Sequence, residues 1–291
     1  MKEQQRINKT AHRAKIIRSF YPHIILWIGI AIIIFPIYFI FSASSHTNAD
    51  IQAAPMPLGI GSHLIENYRQ ALLHGTQNMG TPVSTMLKNS LIMALGISIG
   101  KIIISLMAAF AIVFFDFPLR GFCFWSIFIT LMLPVEVRIM PTYKVVADLG
   151  LLNSYAGLIL PMIVSATAVF LFRQFFMSVP REIAEASQID GATPMQFFRH
   201  ILAPMTRTPI ASMFVIQFIY GWNQYLWPLL ITTKPEFYTL LIGINRMMSG
   251  ADVQIEWQIV MATTMLAMLP PVIVVVLMQK QFISGMTETE K

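Results

Sequence analysis

Six long runs of apolar residues, separated by shorter polar segments, make up most of this chain. The runs cover residues 23–43, 89–115, 122–140, 154–177, 210–232 and 257–279. A helix of about 20 apolar residues is long enough to cross the hydrocarbon core of a bilayer. The pattern therefore predicts an all-α membrane protein with six transmembrane helices. A further short helix is predicted at Leu64–Leu73, within the polar connector after the first run.

The composition supports this interpretation, since 56% of the 291 residues are hydrophobic and 12% are charged. A soluble domain carries about 25% charged residues. The formal net charge of +6 is typical of basic segments that face anionic membrane lipid, so we expect lipid contact and no nucleic acid partner. Cys123 is the only cysteine, which excludes a disulfide within the chain, and no cysteine and histidine spacing predicts a metal site.

The distribution of lysine and arginine predicts the orientation in the membrane. In the six-helix topology, the side that holds both termini carries thirteen basic residues and the opposite side carries six, with Arg173 and Arg138, near the ends of their runs, counted with the nearer side. The positive-inside rule therefore places both termini and residues 179–209 in the cytoplasm. The first run exceeds the apolar core of a signal peptide, about 7–15 residues, so we expect a retained helix. The predicted regions are a basic tail (1–20), the first helix with a periplasmic connector (21–84), a transmembrane domain (85–280) and a second tail (281–291).

The polar segment at residues 179–209 has local signals for two short helices. Pro180 suits the first turn of a helix. Asp190-Gly191 favours the end of that helix, because glycine readily adopts the left-handed conformation. Thr193 and Gln196 have the spacing of a capping box, which predicts that a second helix begins there. We expect a compact helix pair that docks onto a soluble partner; an ordinary amphipathic surface hairpin is the alternative.

This segment resembles the EAA loop of ABC importer permeases of the carbohydrate type. The matching residues are Glu185-Ala186-Ser187, Gly191, Ile201 and Pro204. Ser187 and Ala203 replace an alanine and a leucine of the family pattern, and both replacements are small or apolar. The resemblance implies a type I importer permease fold in which Glu185 pairs with a basic group of a cytoplasmic ATPase. The implied ATPase-coupling residues are Glu185, Ala186, Ser187, Asp190, Gly191, Ala192 and Pro204.

The resemblance also implies partners and a cargo. The partners are a sister permease subunit that completes a heterodimer, a dimer of ATPase subunits and a periplasmic solute-binding protein that contacts the connector 233–256, all at the bacterial inner membrane. Segments 128–143, 166–176 and 218–230 are similar to permeases for sn-glycerol-3-phosphate, which implies that cargo together with glycerophosphodiesters. A permease for neutral sugars or oligosaccharides remains the alternative, and an ion-coupled secondary transporter is a further class.

The chain has no nucleotide site of its own in this interpretation. Its GISIGK sequence at 96–101 has three residues between the glycines instead of four, and Ile102 stands where a phosphate-binding loop has serine or threonine. The histidines are scattered, so no catalytic cluster is indicated. We expect a translocation subunit without catalytic residues or cofactors, whose energy comes from the partner ATPase.

Polar residues inside the apolar runs are candidates for a substrate path, because such residues usually face the bundle interior or a water-filled cavity. Lys101 lies near the middle of the second run, where a structural contact with a partner helix is the alternative. Glu136 and Arg138 follow Pro134, which favours irregular backbone and either a gate or an interfacial salt bridge. The sequence GWNQYLWP in the fifth run is typical either of a site that contacts a hydroxylated ligand or of an aromatic belt at the membrane interface. The candidates are Lys101, Glu136, Arg138, Trp222, Asn223, Gln224 and Tyr225.

Overall fold

The computed structural model describes residues 2–76, 79–130, 135–249 and 254–287. Secondary structure in these residues is helical and includes no β-strand, which confirms the all-α prediction. The helices before residues 179–209 are α1 (Lys2–Ala43), α2 (Asn48–Gln52), α3 (Leu64–Leu73), α4 (Val83–Phe114), α5 (Arg120–Ile129), α6 (Val135–Asp148), α7 (Tyr155–Ile159) and α8 (Ala166–Ser178). The remaining helices are α9 (Arg181–Ile189), α10 (Pro194–Phe197), α11 (Ala203–Met205), α12 (Arg207–Trp222), α13 (Leu226–Ile231), α14 (Leu240–Met248) and α15 (Trp257–Thr287).

Contacts divide the chain into two units, residues 1–70 with 256–265, and residues 71–255 with 266–291. In the first unit, the segment Pro22–Ala43 of α1 is long and apolar enough to cross a membrane. The connector after α1 folds back on the end of that helix. Asn67 donates hydrogen bonds to the carbonyls of Ser44 and His46, both at 2.9 Å. The α3 helix has the bounds that the sequence predicts.

The core of the second unit forms around α4, which packs against α8 and α12. One end of α4 contributes Ile102, Leu106 and Phe110 to a cluster with Phe172 and Phe176 of α8. The other end contributes Met93 and Ile97 to a cluster with Leu158, Trp227 and Ile231. Because α4 has buried residues along most of its length, it is the element against which the cavity-forming helices are positioned.

Three of the six predicted spans are not single helices. The predicted span 154–177 is bent by 50° between Tyr155–Met162 and Ala166–Ser178, where the Ser165 hydroxyl caps α8 by accepting from the Ala168 amide. The predicted span 210–232 divides into α12 and α13, since Pro228 has no amide to donate to the Gln224 carbonyl. Within the described residues, three helices are long and apolar enough to cross a membrane, or four if the bent pair counts as one. The six-span count stays a prediction.

The third predicted span and its connector also differ from the sequence-based expectation. Helix α5 ends at Ile129, and α6 extends to Asp148 through Pro141. The segment between the third and fourth runs is therefore helical as far as residue 148, and the irregular backbone predicted around Glu136 and Arg138 is wrong within α6. Pro141 removes one backbone hydrogen bond, to the Val137 carbonyl, and helices tolerate this local loss. Pro134 lies outside the described residues.

The connector at residues 233–256 contains a helix that packs against the core. Helix α14 buries Leu240, Ile242 and Met247. The Leu240 amide donates to the Ser90 hydroxyl of α4 at 2.8 Å, and the Asn89 side chain donates to two carbonyls of the preceding segment. The connector is thereby attached to α4. Its residues 250–253 lie outside the described part of the chain.

Close approach of α4 and α12 depends on Gly221. A Cβ atom at this position would lie 3.0 Å from the Ala94 Cα and 3.3 Å from the Ala94 carbonyl oxygen. We expect Gly221→Ala to lower stability by about 1–2 kcal/mol, because backbone cannot move aside as a flexible side chain can. The matched control is Gly29→Ala in α1, where no atom lies within 4 Å and higher helix propensity favours alanine. Thermal unfolding in detergent measures both, and equal midpoints would contradict the prediction.

Candidate functional site

A cavity of about 560 Å³ lies among α4, α6, α8 and α12. Its volume falls within the range of small-molecule sites, about 300–1,000 Å³. Its polar lining includes Lys101, Arg138, Thr142, Thr167, Gln217 and Tyr220. Two of the predicted path residues, Lys101 and Arg138, are therefore brought to one cavity although they lie on different helices.

Lys101 is 5% exposed and has two neutral partners on α12. Its Nζ donates to Gln217 Oε1 at 3.0 Å and lies 3.6 Å from the centroid of the Tyr220 ring. Gln217 Nε2 in turn donates to Met213 Sδ at 3.3 Å, which fixes the amide with its oxygen towards the lysine. The side chain therefore contacts a partner helix and also lines the cavity. A role of Lys101 in the substrate path stays a prediction.

Arg138 lies on the α6 side of the cavity and is exposed. Its carbonyl accepts a hydrogen bond from the Thr142 hydroxyl at 2.7 Å, one helical turn later. Among the described residues, no aspartate or glutamate lines this cavity. The side chain of Glu136 lies outside the described part of the structure, so its predicted contact with a substrate or a gate stays a prediction.

The other predicted path residues lie away from the described lining of this cavity. Trp222 is 3% exposed, and its Nε1 donates to the Ala267 carbonyl at 3.1 Å. Gln224 Nε2 donates to the Tyr220 carbonyl at 3.2 Å. Asn223 and Tyr225 form the break between α12 and α13. A role of these four residues in the substrate path stays a prediction.

Gln217 and Tyr220 are cavity residues that the sequence interpretation did not select. Gln217 is a buried amide inside an apolar helix, which is the same signal that singled out Lys101. Tyr220 follows it by three residues and therefore shares its helix face. A search of the whole fifth run for polar residues would have found Gln217. The three-residue spacing would then have added Tyr220.

The docking loop, residues 179–209, has the local structure that the sequence predicts. Helix α9 begins at Arg181, one residue after Pro180, and Gly191 has a φ of +76°. Thr193 and Gln196 form the capping box that starts α10. A difference lies in the second helix, which does not end before the fifth run. It continues through a π-helical turn, Phe198–Leu202, and through α11 into α12 after only a turn at Thr206.

Pro204 accounts for the wide turn in this continuous segment. Its ring would clash with the carbonyl four residues earlier in a regular α-helix. The Ala203 amide donates instead to the Phe198 carbonyl, five residues earlier, and such single π-turns absorb local distortion inside helices. Pro204 is half-buried and lies in α11, directly before α12, at the base of the loop rather than at its tip.

The remaining predicted coupling residues divide between the two faces of the loop. Ser187 is 5% exposed and, with the half-buried Ala192, faces phenylalanines of α4 and α10. Exposed positions are Glu185, Ala186, Asp190 and Gly191. Glu185 also borders a second cavity, about 610 Å³, which Arg173 and Arg181 line as well. Within the described residues Glu185 forms no ion pair, so its carboxylate is available to a partner.

Comparison with known proteins identifies relatives over nearly the whole chain. The family described as binding-protein-dependent transport system inner membrane component matches residues 101–288. A protein of Brucella melitensis named sn-glycerol-3-phosphate transport system permease protein UgpE is 56% identical over 270 residues, which is 92% of this chain and 96% of that protein. A protein of the same name from Agrobacterium fabrum is 56% identical over 92% of this chain and 96% of its own length. One from Escherichia coli O1:K1 is 50% identical over 94% of this chain and 97% of its own length.

A solved structure shares the fold. It is a crystal structure of a bacterial ABC transporter involved in the import of the acidic polysaccharide alginate, with a TM-score of 0.79 and 20% sequence identity. The superposition covers 93% of this chain and 98% of that chain. The likeness is evidence for the architecture of the helices alone.

Proposed function

Because this chain belongs to the family of binding-protein-dependent transport system inner membrane components, we propose that it is a permease subunit of an ATP-driven importer for sn-glycerol-3-phosphate. The observation that carries this proposal is the 50% to 56% identity, over at least 92% of the chain, with relatives named as permeases of that transport system. Glycerophosphodiesters are further cargo in this proposal. A sister permease completes the path, and a solute-binding protein delivers the cargo.

The docking loop is the contact with a dimer of ATPase subunits in this proposal. Its tip exposes the carboxylates of Glu185 and Asp190, and Ile189 between them is 87% exposed. A large apolar side chain beside acidic groups suits burial in a cleft whose walls also offer basic groups. Both termini lie with the loop on the cytoplasmic side, as the distribution of basic residues predicts.

The connections of the loop explain how a push from the ATPase would move the cavity. Helix α8 ends at Ser178, and α9 begins at Arg181. At the other end, α10 continues by helical turns into α12. Both α8 and α12 line the 560 Å³ cavity. A rigid-body shift of the loop therefore reaches two cavity walls directly, and such shifts are a common form of switching between states.

Reconstitution in proteoliposomes tests the proposal. The assembly contains this chain, the sister permease, the ATPase and the binding protein, and the measurements are ATP hydrolysis and uptake of labelled glycerol-3-phosphate. We expect cargo-loaded binding protein to stimulate hydrolysis and phosphorylated glycerol compounds to compete with uptake. Competition by neutral sugars instead would contradict glycerol-3-phosphate as the cargo. Purification of this chain without an ATPase would contradict the assignment as an ATP-driven importer.

A further inference from the structure

The 560 Å³ cavity concentrates positive charge without a described counter-charge. Lys101 and Arg138 both line it, and no acidic residue does so among the described residues. The two direct partners of Lys101, Gln217 and Tyr220, are uncharged. A cation in a membrane-spanning helix is costly unless it is paired or faces a polar path. Two like charges at one cavity increase that cost, and an anion inside the cavity would remove it.

We propose that this cavity binds the phosphate group of the cargo, with Lys101 and Arg138 as its charged contacts, and that it favours monoesters over diesters. This inference rests on the proposed function. A phosphate monoester carries a charge of about −1.5 to −2 at neutral pH and has three strong acceptor oxygens. A diester carries one negative charge and two such free oxygens, so it gains less from two cations.

Gln217 and Tyr220 are positioning residues in this site. The Gln217 oxygen and the Tyr220 ring attract the ammonium group without neutralising it. They hold Lys101 at the cavity wall and leave its charge available to the anion. The exposed hydroxyl-bearing side chain of Thr167, on the α8 side, adds a donor that suits a phosphate oxygen.

Gln217→Glu is the most informative substitution. It preserves the size of the side chain and places a carboxylate where an oxygen already lies 3.0 Å from Lys101 Nζ. If Lys101 is only structural, a new ion pair leaves transport unchanged. If the cavity binds phosphate, the carboxylate competes with the cargo, and we expect kcat/KM for glycerol-3-phosphate uptake to fall about tenfold.

The decisive measurement is the ratio of monoester to diester uptake by the assembled importer, with glycerol-3-phosphate and glycerophosphocholine as probes. We expect the ratio to fall several-fold for Gln217→Glu, Lys101→Met and Arg138→Gln, because each change lowers the net positive charge of the cavity by one unit. A general loss of assembly would lower both rates and leave the ratio unchanged. The matched control is Gln174→Glu, which adds the same charge at an exposed position of α8 outside the cavity.

The outcomes separate this inference from the proposed function. If the wild-type assembly takes up no glycerol-3-phosphate, the proposed function fails. If the wild type transports it and all three cavity variants assemble, transport cargo and retain the wild-type ratio, the phosphate site is wrong while the importer stands. A ratio that falls equally in Gln174→Glu would also overturn the site, since charge anywhere near the path would then suffice.

Discussion

Glu185→Arg is expected to lower glycerol-3-phosphate uptake by the assembled importer at least about 30-fold. Glu185 is exposed on α9 and forms no ion pair within the described residues. In the proposed assembly it meets a basic group of the ATPase inside the docking cleft, and loss of one partner of a buried, hydrogen-bonded charge pair costs about 2–5 kcal/mol. Each 1.36 kcal/mol corresponds to about a factor of ten. Reversal of the charge adds repulsion to this loss.

The measurements are uptake, ATP hydrolysis and co-purification of the ATPase. Because Glu185 makes no described contact that holds the fold, the amount of this chain in the membrane should not change. Glu182→Arg is the matched control, since Glu182 is an exposed glutamate on the same helix. An equal loss in that variant would assign the effect to the overall charge of α9 and contradict a specific role for Glu185.

The docking loop was predictable because its structure is encoded by adjacent residues. Gly191 and the Thr193–Gln196 capping box each act over at most four positions, and the structure has the predicted turn and cap at both. The continuation into α12 was not predictable in the same way. No local signal before residue 210 indicated that the second short helix joins the fifth run, and one π-turn accommodates Pro204 inside a continuous helical segment.

The cavity required three-dimensional information. Lys101 and Gln217 are 116 residues apart, and no local pattern connects them. Helices in a membrane bundle are apolar on all sides, so periodicity does not reveal which face is buried. Sequence reasoning could select Lys101 and Arg138 as unusual charges, but it could not separate them from Trp222, whose indole N–H is used within the core. The break at 163–165 was missed for a related reason, because Ser165 is the only polar residue in it and apolar residues lie on both sides.

Gly157→Ala is expected to prevent stable assembly of the second unit around α7. A Cβ atom at Gly157 would overlap the Leu151 carbonyl oxygen, which is backbone and cannot rotate away. The same oxygen accepts a hydrogen bond from the Ser154 hydroxyl at 2.7 Å, and the Gly157 carbonyl accepts from Trp227 Nε1 at 3.2 Å. Relief of the overlap therefore disturbs both the start of α7 and its attachment to α13. We expect a loss of about 3 kcal/mol, at the upper end for overpacked cores.

Gly121→Ala is the control, because Gly121 also lies in the first turn of a helix, α5, and a Cβ atom added there would meet no other atom within 4 Å. Alanine should there be neutral or stabilising by up to about 1 kcal/mol. The measurements are the thermal midpoint in detergent and the yield of the complex with the sister permease. The break between α7 and α8 leaves α7 only five residues long, so its position depends on these contacts rather than on helix propensity. Equal midpoints for the two variants would show that α7 can shift freely, and the proposed dependence of the second unit on the attachment of α7 to α13 would then be wrong.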